Sequence, residues 1–186
     1  MLAIRKATIK DAALLSQLLE TSYRFHFSGL WRDQGELDEY IAGECSIEQI
    51  SNSLETPDHQ WFIAESRQAI RSGITDSSIK HPNIIGLSKI ILNQQVPDKN
   101  STGIYLHKLH LMPNQTGKKY GDQLFEYIVK LGQEKKQKWL WLDVLEQNTS
   151  AIKFYARKGM KFQSSTLFTT PKQQSTMYLM ARHLSD

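Results

Sequence analysis

The sequence is poor in the features that mark secreted, metal-bound and membrane proteins. Its 186 residues include a single cysteine, Cys45, which excludes an intrachain disulfide framework and a cysteine-rich zinc site. Its apolar stretches are far shorter than a membrane-spanning helix requires, and residues 1–6 lack the apolar core of a secretory signal. We therefore expect one domain, spanning 1–186, in a reducing cytoplasm and with no membrane partner.

The charge of the chain is small overall but unevenly distributed. The formal net charge is +4, which by itself is a weak reason to propose a nucleic-acid partner. Residues 33–55 carry seven acidic and no basic side chains, whereas residues 118–161 carry ten basic and five acidic ones. No nucleic-acid recognition motif accompanies the basic half, so we expect no nucleic-acid partner.

The hydrophobic periodicity predicts alternating strands and helices. Strands are predicted at residues 2–7, 61–65, 84–93, 104–112, 139–145, 161–169 and 175–183. Helices are predicted from residue 8 onward, at 36–54 with a break near Cys45, at 119–135 and at 149–158. The polar segments 66–82 and 93–102 are predicted loops. This order predicts an α/β fold, with one mixed central sheet of about seven strands flanked by about four helices.

Residues 112–124 lead from a predicted strand into a predicted helix through a glycine-containing turn. Gly117 and Gly121 let the backbone approach a ligand closely, and the free N–H groups of the first helical turn favour an anion. Lys118 and Lys119 add positive charge. The turn suits a phosphate or pyrophosphate, although a plain turn with solvated lysines fits the same residues. Neither the Walker A pattern nor the fingerprint GxGxxG is present.

A second informative segment covers residues 148–162. Asn148 precedes a predicted helix in which Ala151, Phe154 and Tyr155 share one face, and Gly159 ends that helix. The hydroxyl of a buried Tyr155 needs a polar partner. A core tyrosine and a tyrosine in a functional site both fit this pattern.

Together these segments resemble the GNAT superfamily of acetyl-CoA-dependent N-acetyltransferases. The pattern NxxAxxFYxxxGMxF at residues 148–162 is a close and specific match. The family's pyrophosphate loop corresponds to residues 116–121, where Gly121 matches but Thr116 replaces the usual Gln or Arg and Lys119 replaces the first glycine. The resemblance covers nearly the whole chain, and residues 139–148 and 174–180 are most similar to the PaiA-like spermidine/spermine acetyltransferase branch.

The resemblance implies a GNAT-like fold with acetyl-CoA as co-substrate and no metal. It implies that the pyrophosphate lies on the amides of the turn and that the pantetheine arm runs beside the preceding strand. It also implies that Tyr155, near the coenzyme sulfur, is the acid that protonates the leaving thiolate. The implied coenzyme contacts are Leu109, His110, Leu111, Thr116, Gly117, Lys118, Lys119, Tyr120, Gly121, Asp122, Asn148 and Tyr155.

The base that takes a proton from the attacking amine is the open part of the mechanism. His107 aligns with a glutamate of many relatives, and a free imidazole with a pKa of about 6.5 can accept a proton directly or through water. A strand histidine without a catalytic role is the alternative. Asp143 and Glu146 are further acids near the site, although Asp143 also suits a pairing with a neighbour. His107 and His110 are three apart on a strand and are expected to face opposite ways, which argues against a two-histidine metal site.

The first two helices are expected to cover the acceptor, as in GNAT-like domains. The predicted acceptor contacts are Tyr23, Trp31, Glu36 and Tyr105, with core packing as the alternative for the aromatic residues. The acidic segment 33–55 would attract a cationic amine such as a polyamine, although a lysine-rich peptide or a solvated helix face fits it too.

The predicted function is acetyl transfer to a primary amine of a small molecule. The alternatives are a protein N-terminus or lysine, an aminoglycoside, and non-catalytic acyl-CoA binding. Because GNAT-like proteins are often dimers, a homodimer is the implied assembly.

Overall fold

The computed structural model describes residues 2–66 and 83–184. The strands are β1 (Leu2–Lys6), β2 (His59–Ser66), β3 (Ile84–Gln95), β4 (Thr102–Leu111), β5 (Trp139–Leu145), β6 (Lys161–Thr169) and β7 (Gln174–His183). The α-helices are α1 (Ala12–Phe27), α2 (Gln34–Glu44), α3 (Ile47–Glu55), α4 (Tyr120–Glu134) and α5 (Thr149–Arg157), with 3-10 turns at Ile9–Asp11 and Ser28–Leu30. The predicted α/β fold is confirmed. The predicted loop at 66–82 lies outside the described residues, apart from Ser66 at the end of β2.

The strands form one mixed sheet in the order β1-β2-β3-β4-β5-β7-β6. Every neighbouring pair is antiparallel except β4 and β5, which are parallel. A parallel neighbour must be reached by a crossover, and α4 is the helix of that crossover. Leu140, Trp141 and Leu142 are all buried, as expected for an apolar strand inside a sheet.

The two faces of the sheet carry separate helical layers. The core under α1, α2 and α3 includes Leu15, Leu19, Leu37, Ile50, Trp61 and Leu87. The core under α4 and α5 includes Phe125, Ile128, Ile104, Leu140 and Met160. No helix in the described part of the chain combines the length and the apolar character needed to cross a bilayer.

The predicted helix at 36–54 is two helices, which raises the number of α-helices from about four to five. Asp33 caps α2 by accepting a hydrogen bond from Glu36 N at 3.0 Å. Ser46 caps α3 by accepting one from Gln49 N at 3.2 Å. Serine and aspartate favour such N-cap positions because their side chains satisfy a free N–H group of the first turn. Ser46 therefore explains why the helix breaks beside Cys45.

The strands β4 and β5 approach very closely where they pair. A Cβ atom on Gly103 would overlap the carbonyl oxygen of Trp139, so the close approach requires glycine. The pairing covers only Ile104 opposite Leu140 and Tyr105 opposite Trp141. This two-residue joint connects the half-sheet β1–β4 to the half-sheet β5–β7.

Candidate active site

The sheet opens between β4 and β5 beyond the joint. In the described structure the two strands pair no further than Tyr105 and Trp141. β4 also carries a bulge, because Leu106 lies opposite Ile90 and Lys108 opposite Lys89, which leaves His107 as an extra residue. A bulge bends its strand and increases the local twist. The edge of β4 after the joint therefore faces an open space, which we call the wedge.

The turn between β4 and α4 presents free backbone N–H groups. Asn114, Gly117 and Lys119 have left-handed backbones, with φ of 62°, 77° and 60°. Lys119 is the N-cap residue of α4, and its side chain makes no capping hydrogen bond. The first N–H groups of α4 are therefore free for another acceptor. A helix start of this kind favours an anion.

This turn borders a cavity of about 670 Å³, which we call the turn cavity. Most of the predicted coenzyme contacts line it, namely Leu109, His110, Leu111, Thr116, Gly117, Lys119, Tyr120, Gly121, Asp122, Asn148 and Tyr155. Lys118 is placed elsewhere. Its ammonium group donates to Gln115 Oε1 at 3.2 Å on the exposed side of the turn.

Seven further residues line the turn cavity that the sequence did not assign to the coenzyme, although it placed Ala151 and Phe154 on the same helical face as Tyr155. They are Ser22, His26, Phe27, Ser150, Ala151, Phe154 and Arg157. Ser150 and Arg157 are seven apart on α5 and so share a face, a signal that could have identified the arginine. The α1 residues gave no such signal, because they are far from the turn in sequence.

Ion pairing leaves the turn cavity with a net positive wall. Lys158 Nζ lies 2.8 Å from Asp122 Oδ1 and 3.0 Å from Glu126 Oε1. This contact joins α5 to α4 and offsets the carboxylate in the first turn of α4. Lys119 and Arg157 line the cavity without such a carboxylate partner among the described residues. Their charge is therefore available to an anionic ligand.

Tyr155 lies on α5, where the wedge meets the turn cavity. It is about two helical turns after the N-cap residue of α5. The cap is Asn148, whose Oδ1 accepts a hydrogen bond from Ala151 N at 3.2 Å. The ring of Tyr155 contacts Phe125 and Phe154, and within the described residues its hydroxyl has no hydrogen-bond partner. Burial raises the pKa of this hydroxyl. It therefore keeps its proton at neutral pH and can donate it.

A second cavity, of about 260 Å³, lies on the α1–α2 side of the wedge. We call it the aromatic cavity, because its wall includes Tyr23, Phe27, Trp31, Tyr40, Tyr105 and Phe168. The two cavities share Phe27, Leu109, His110, Asn148, Ala151 and Tyr155. A ligand in each cavity would therefore meet the other at the wedge.

Three of the four predicted acceptor contacts line the aromatic cavity, namely Tyr23, Trp31 and Tyr105. Glu36 does not line it. Its carboxylate accepts hydrogen bonds from Thr170 Oγ1 at 2.6 Å and from Lys172 N at 2.9 Å. Glu36 therefore holds the turn between β6 and β7 against α2.

The structure corrects the expected orientation of the two strand histidines. The bulge interrupts the alternation of side chains along β4, and both His107 and His110 line the aromatic cavity. His110 Nδ1 lies 3.2 Å from Ser22 Oγ, and burial lowers the pKa of His110 to about 3. Within the described chain, no three His, Cys, Asp or Glu side chains group in a way that could hold a metal ion.

His107 is a neutral imidazole beside Tyr105. The two rings stack with centroids 5.3 Å apart, and the buried Nδ1 of His107 has no hydrogen-bond partner among the described residues. Burial, together with the neighbouring lysines Lys108 and Lys89, lowers the pKa of His107 to about 2. The ring is therefore uncharged at neutral pH and is a weaker base than a free imidazole.

Asp143 lines the same cavity from β5. Tyr105 donates a hydrogen bond from its hydroxyl to Asp143 Oδ2 at 3.1 Å, which is the neighbour pairing that the sequence suggested. Burial raises the pKa of Asp143. A carboxyl group with a raised pKa is better matched to proton exchange at neutral pH than an ordinary one.

The acidic segment 33–55 is largely occupied by contacts within the protein. Besides the hydrogen bonds to Glu36, there are ion pairs between Asp33 and Lys172 at 2.7 Å, Asp38 and Arg24 at 2.7 Å, and Glu44 and Lys108 at 3.2 Å. None of the seven acidic side chains of the segment lines the aromatic cavity as the described residues form it. The segment therefore offers little free charge at the wedge.

Comparison with solved structures identifies proteins that share this fold. The PaiA N-acetyltransferase of Thermoplasma acidophilum, solved in complex with coenzyme A, has a TM-score of 0.71 and 21% identity, covering 98% of this chain and 99% of that one. Mutant forms of the spermidine/spermine N-acetyltransferase SpeG of Vibrio cholerae give a TM-score of 0.64 and 15% identity, covering 99% and 95%. At these identities the likeness is one of fold.

Sequence comparison gives the family. An uncharacterized N-acetyltransferase of Lactobacillus delbrueckii subsp. lactis is 29% identical over 90 residues, which are 48% of this chain and 52% of that protein. The match thus spans about half the length of this relative. Residues 15–160, most of the chain, match the acetyltransferase (GNAT) family. The chain belongs to the GNAT family of acetyltransferases.

Proposed function

We propose that the protein transfers the acetyl group of acetyl-CoA to a primary amine of a small molecule. The observation that carries the proposal is the meeting of two cavities at the wedge. One has a free helix start and a positive wall, and the other has an aromatic wall and a volume of about 260 Å³. A transferase with two substrates needs separate binding sites whose reactive ends meet.

The residues of the turn cavity suit coenzyme A. Its pyrophosphate would accept hydrogen bonds from the first N–H groups of α4, with Lys119 and Arg157 nearby. Its pantetheine arm carries amide groups, and the edge of β4 around residues 109–111, which pairs with no strand on that side in the described structure, offers backbone partners for them. The exception is Leu111 O, which already accepts hydrogen bonds from His26 Nε2 at 2.9 Å and Ser22 Oγ at 3.3 Å. Acetyl-CoA would supply the thioester whose carbonyl carbon is attacked.

The reaction requires two proton movements. The neutral nitrogen of the amine attacks the thioester carbonyl carbon, a C–N bond forms, and the C–S bond breaks to release a thiolate. The thiolate gains one proton and the nitrogen loses one, which leaves an amide and free coenzyme A. We assign the thiolate's proton to Tyr155, because its hydroxyl is protonated and it lines both cavities.

The proton of the amine has two candidate acceptors, His107 and Asp143. Because burial makes His107 a weak base and its Nδ1 is inaccessible from the cavity, we assign it a place in the wall of the acceptor site and no proton transfer. We assign the proton itself to Asp143, because the raised pKa of its carboxyl group suits transfer from an amine. The single substitutions His107→Gln and Asp143→Asn test this division through the pH dependence of kcat/KM.

The transferase proposal is tested with the purified full chain, acetyl-CoA and a panel of primary amines. We expect release of the coenzyme thiol, with an equal amount of acetylated amine detected by mass spectrometry. Calorimetry with acetyl-CoA alone measures coenzyme binding in parallel. Normal coenzyme binding without thiol release on any amine would overturn the proposal in favour of non-catalytic acyl-CoA binding.

A polyamine is one specific kind of small-molecule primary amine that could be the acceptor. The shared fold with SpeG, a spermidine/spermine N-acetyltransferase, supports it. The contacts of the acidic segment weaken this support, because four of its seven carboxylates, those of Asp33, Glu36, Asp38 and Glu44, already bind groups of the protein. Spermidine and spermine therefore belong in the amine panel.

We also propose the cytoplasm as the site of action and a homodimer as the assembly. The buried thiol of Cys45 supports a reducing compartment, and burial raises its pKa to about 11, so the thiol stays protonated and unreactive. Light scattering after size-exclusion chromatography tests the assembly, and a single peak at the monomer mass of 21.4 kDa would contradict the homodimer.

A further inference from the structure

We propose that the acceptor is a primary monoamine with an aromatic body, an inference that rests on the transferase function above. Its body would lie in the aromatic box, which is formed by Tyr23, Trp31, Tyr40 and Phe168. Its ammonium group would bind Asp143, which would also take its proton.

The aromatic box brings together side chains from four separate parts of the chain. The Trp31 ring lies 5.2 Å from Tyr40 and 5.9 Å from Phe168, centroid to centroid. The Tyr23 ring lies 5.5 Å from Tyr40, and the two hydroxyl oxygens are 3.1 Å apart. Phe168 meets both Trp31 and Tyr40 nearly edge-on, at 84° and 89°. Edge-to-face contact is a geometry that aromatic rings favour, so a further ring in the cavity can extend the same arrangement.

The box is held in shape by Gln173, a buried residue between β6 and β7. Its Oε1 accepts a hydrogen bond from Arg32 N at 2.9 Å, and its Nε2 donates to Leu30 O at 3.1 Å and to Ser175 Oγ at 2.9 Å. These bonds fix the backbone on both sides of Trp31. A pocket whose wall is already ordered loses less entropy when it binds a ligand.

Asp143 is the single carboxylate among the described residues that line the aromatic cavity. Its contact is the hydroxyl of Tyr105, and within the described chain no lysine or arginine forms an ion pair with it. A half-buried carboxylate without a cation partner is a favourable place for one ammonium group. The lining therefore matches an amine that carries one positive charge.

Lys108, which also lines the cavity, disfavours a second positive charge there. Lys108 Nζ lies 5.5 Å from the centre of the Tyr23 ring, and its side chain is only 3% exposed. Its own charge is matched by Glu44 at 3.2 Å, so that carboxylate is not available to a ligand. A second ammonium group in the box would be repelled by the buried positive charge of Lys108, which offsets the attraction of the aromatic rings for a cation.

Binding of the ammonium group to Asp143 also positions it to lose the proton that blocks its attack on the thioester. The ammonium group transfers one proton to a carboxylate oxygen of Asp143, which passes it to solvent, and the nitrogen lone pair that this frees attacks the thioester. As the C–S bond breaks, the nitrogen gives its second proton to Asp143 and the thiolate takes one from Tyr155. After the acetylated product departs, Asp143 loses its proton to solvent and Tyr155 regains one from solvent. No oxidant, reductant or third reactant is involved.

The decisive comparison uses two acceptors with the same body. Phenethylamine carries one amine, and 4-(aminomethyl)phenethylamine carries a second one at the far end of the ring. Thiol release is measured for both, and for spermidine, with the full chain at saturating acetyl-CoA. We expect kcat/KM for phenethylamine to exceed that for either of the other two by about tenfold or more, the ratio that 1.4 kcal/mol of discrimination produces.

A matched pair of variants tests the part played by Asp143. Asp143→Asn removes the charge and keeps the shape, and Asp38→Asn removes one exposed charge from α2, outside both cavities. We expect Asp143→Asn to lower kcat/KM for phenethylamine by about a hundredfold, within the range of a lost base, and to leave the Kd for acetyl-CoA unchanged. Asp38→Asn should leave both quantities unchanged. Thermal melting of each variant shows whether it is folded.

The outcomes separate this inference from the transferase proposal. Preference for spermidine or for the diamine, or an Asp143→Asn variant with full activity on phenethylamine, would overturn the aromatic monoamine and leave the transferase intact. Release of no thiol with any amine, despite coenzyme binding, would overturn the transferase. A folded Asp143→Asn variant that loses phenethylamine turnover but binds acetyl-CoA normally would support both.

Discussion

Tyr155 is the residue whose replacement should separate coenzyme binding from chemistry. Its hydroxyl makes no hydrogen bond within the described chain, so Tyr155→Phe should leave the packing against Phe125 and Phe154 intact. Loss of a general acid commonly costs 10²-fold to about 10⁴-fold in rate, and we expect kcat to fall at least about 100-fold at an unchanged acetyl-CoA Kd. The control is Tyr178→Phe, whose hydroxyl donates to Glu146 outside both cavities. Full activity of Tyr155→Phe would remove this residue from the mechanism.

Gly117 is the residue at which the backbone of the turn between β4 and α4 depends on glycine. Its φ is 77°, and a Cβ atom placed there would meet nothing within 4 Å, so Gly117→Ala isolates the cost of the left-handed backbone. We expect the free energy of unfolding, from urea titration, to fall by about 1 kcal/mol. Gly43→Ala in α2 also meets nothing within 4 Å and should raise it by about 0.5 to 1 kcal/mol. Equal effects of the two substitutions would contradict the left-handed turn.

Single residues were predictable where their partners are close in sequence. Asn148 and Tyr155 belong to one contiguous motif, and the structure brings both to the wedge. Tyr40 and Phe168 were missed because they are 128 residues apart in the chain and meet only after folding. Glu36 was placed at the acceptor on charge alone, and charge does not reveal that Thr170 is its partner.

The joint between β4 and β5 is the element most sensitive to a small substitution. In Gly103→Ala the added methyl group would overlap the carbonyl oxygen of Trp139, so the strands must separate or the turn before them must shift. Overpacking of this kind costs about 1 to 3 kcal/mol, and we expect a loss of about 2 kcal/mol in the free energy of unfolding. Gly29→Ala, where the methyl group meets nothing within 4 Å, is the control. Equal stability of the two variants would contradict the close approach.

Among the elements, helix ends were easier to predict than strand irregularities. Ser46 is a favoured N-cap residue and indicates the start of a new helix, so the break near Cys45 could be expected. The bulge at His107 could not, because it depends on the pairing of β4 with β3, and a strand read alone is assumed to alternate. This one extra residue explains why the orientation expected for His107 and His110 was wrong.

For the whole molecule, the buried histidines predict a dependence of stability on pH. The pKa of His107 is lowered to about 2 and that of His110 to about 3, so below pH ~6.5 the unfolded chain binds protons that the folded chain excludes. The contribution of each ring to the free energy of unfolding should therefore be constant above about pH 7 and fall by up to ~1.4 kcal/mol per pH unit below about pH 6. Urea titrations from pH 5 to 8 measure this. His107→Gln should show a shallower fall than the parent, and an identical slope would contradict the burial of this ring.

At the same scale, the fold class was predictable but the strand order was not. The alternation of apolar strands and amphipathic helices, such as α4 with its buried Leu124 and Ile128, indicates an α/β sheet. Which strands become neighbours depends on contacts between distant segments. The placement of β7 between β5 and β6 is an example that no local pattern contained.

The short joint also has a mechanical consequence. The strands of the two half-sheets pair only at Ile104 with Leu140 and Tyr105 with Trp141, so the half-sheets are joined through a narrow hinge. A pantetheine arm in the wedge would connect the two half-sheets by forming hydrogen bonds with the open edge of β4. Amide hydrogen exchange at residues 107–111 should therefore slow when acetyl-CoA binds, whereas exchange along β2 should not change. Unaltered exchange at 107–111 in the bound protein would show that the coenzyme leaves this edge unpaired.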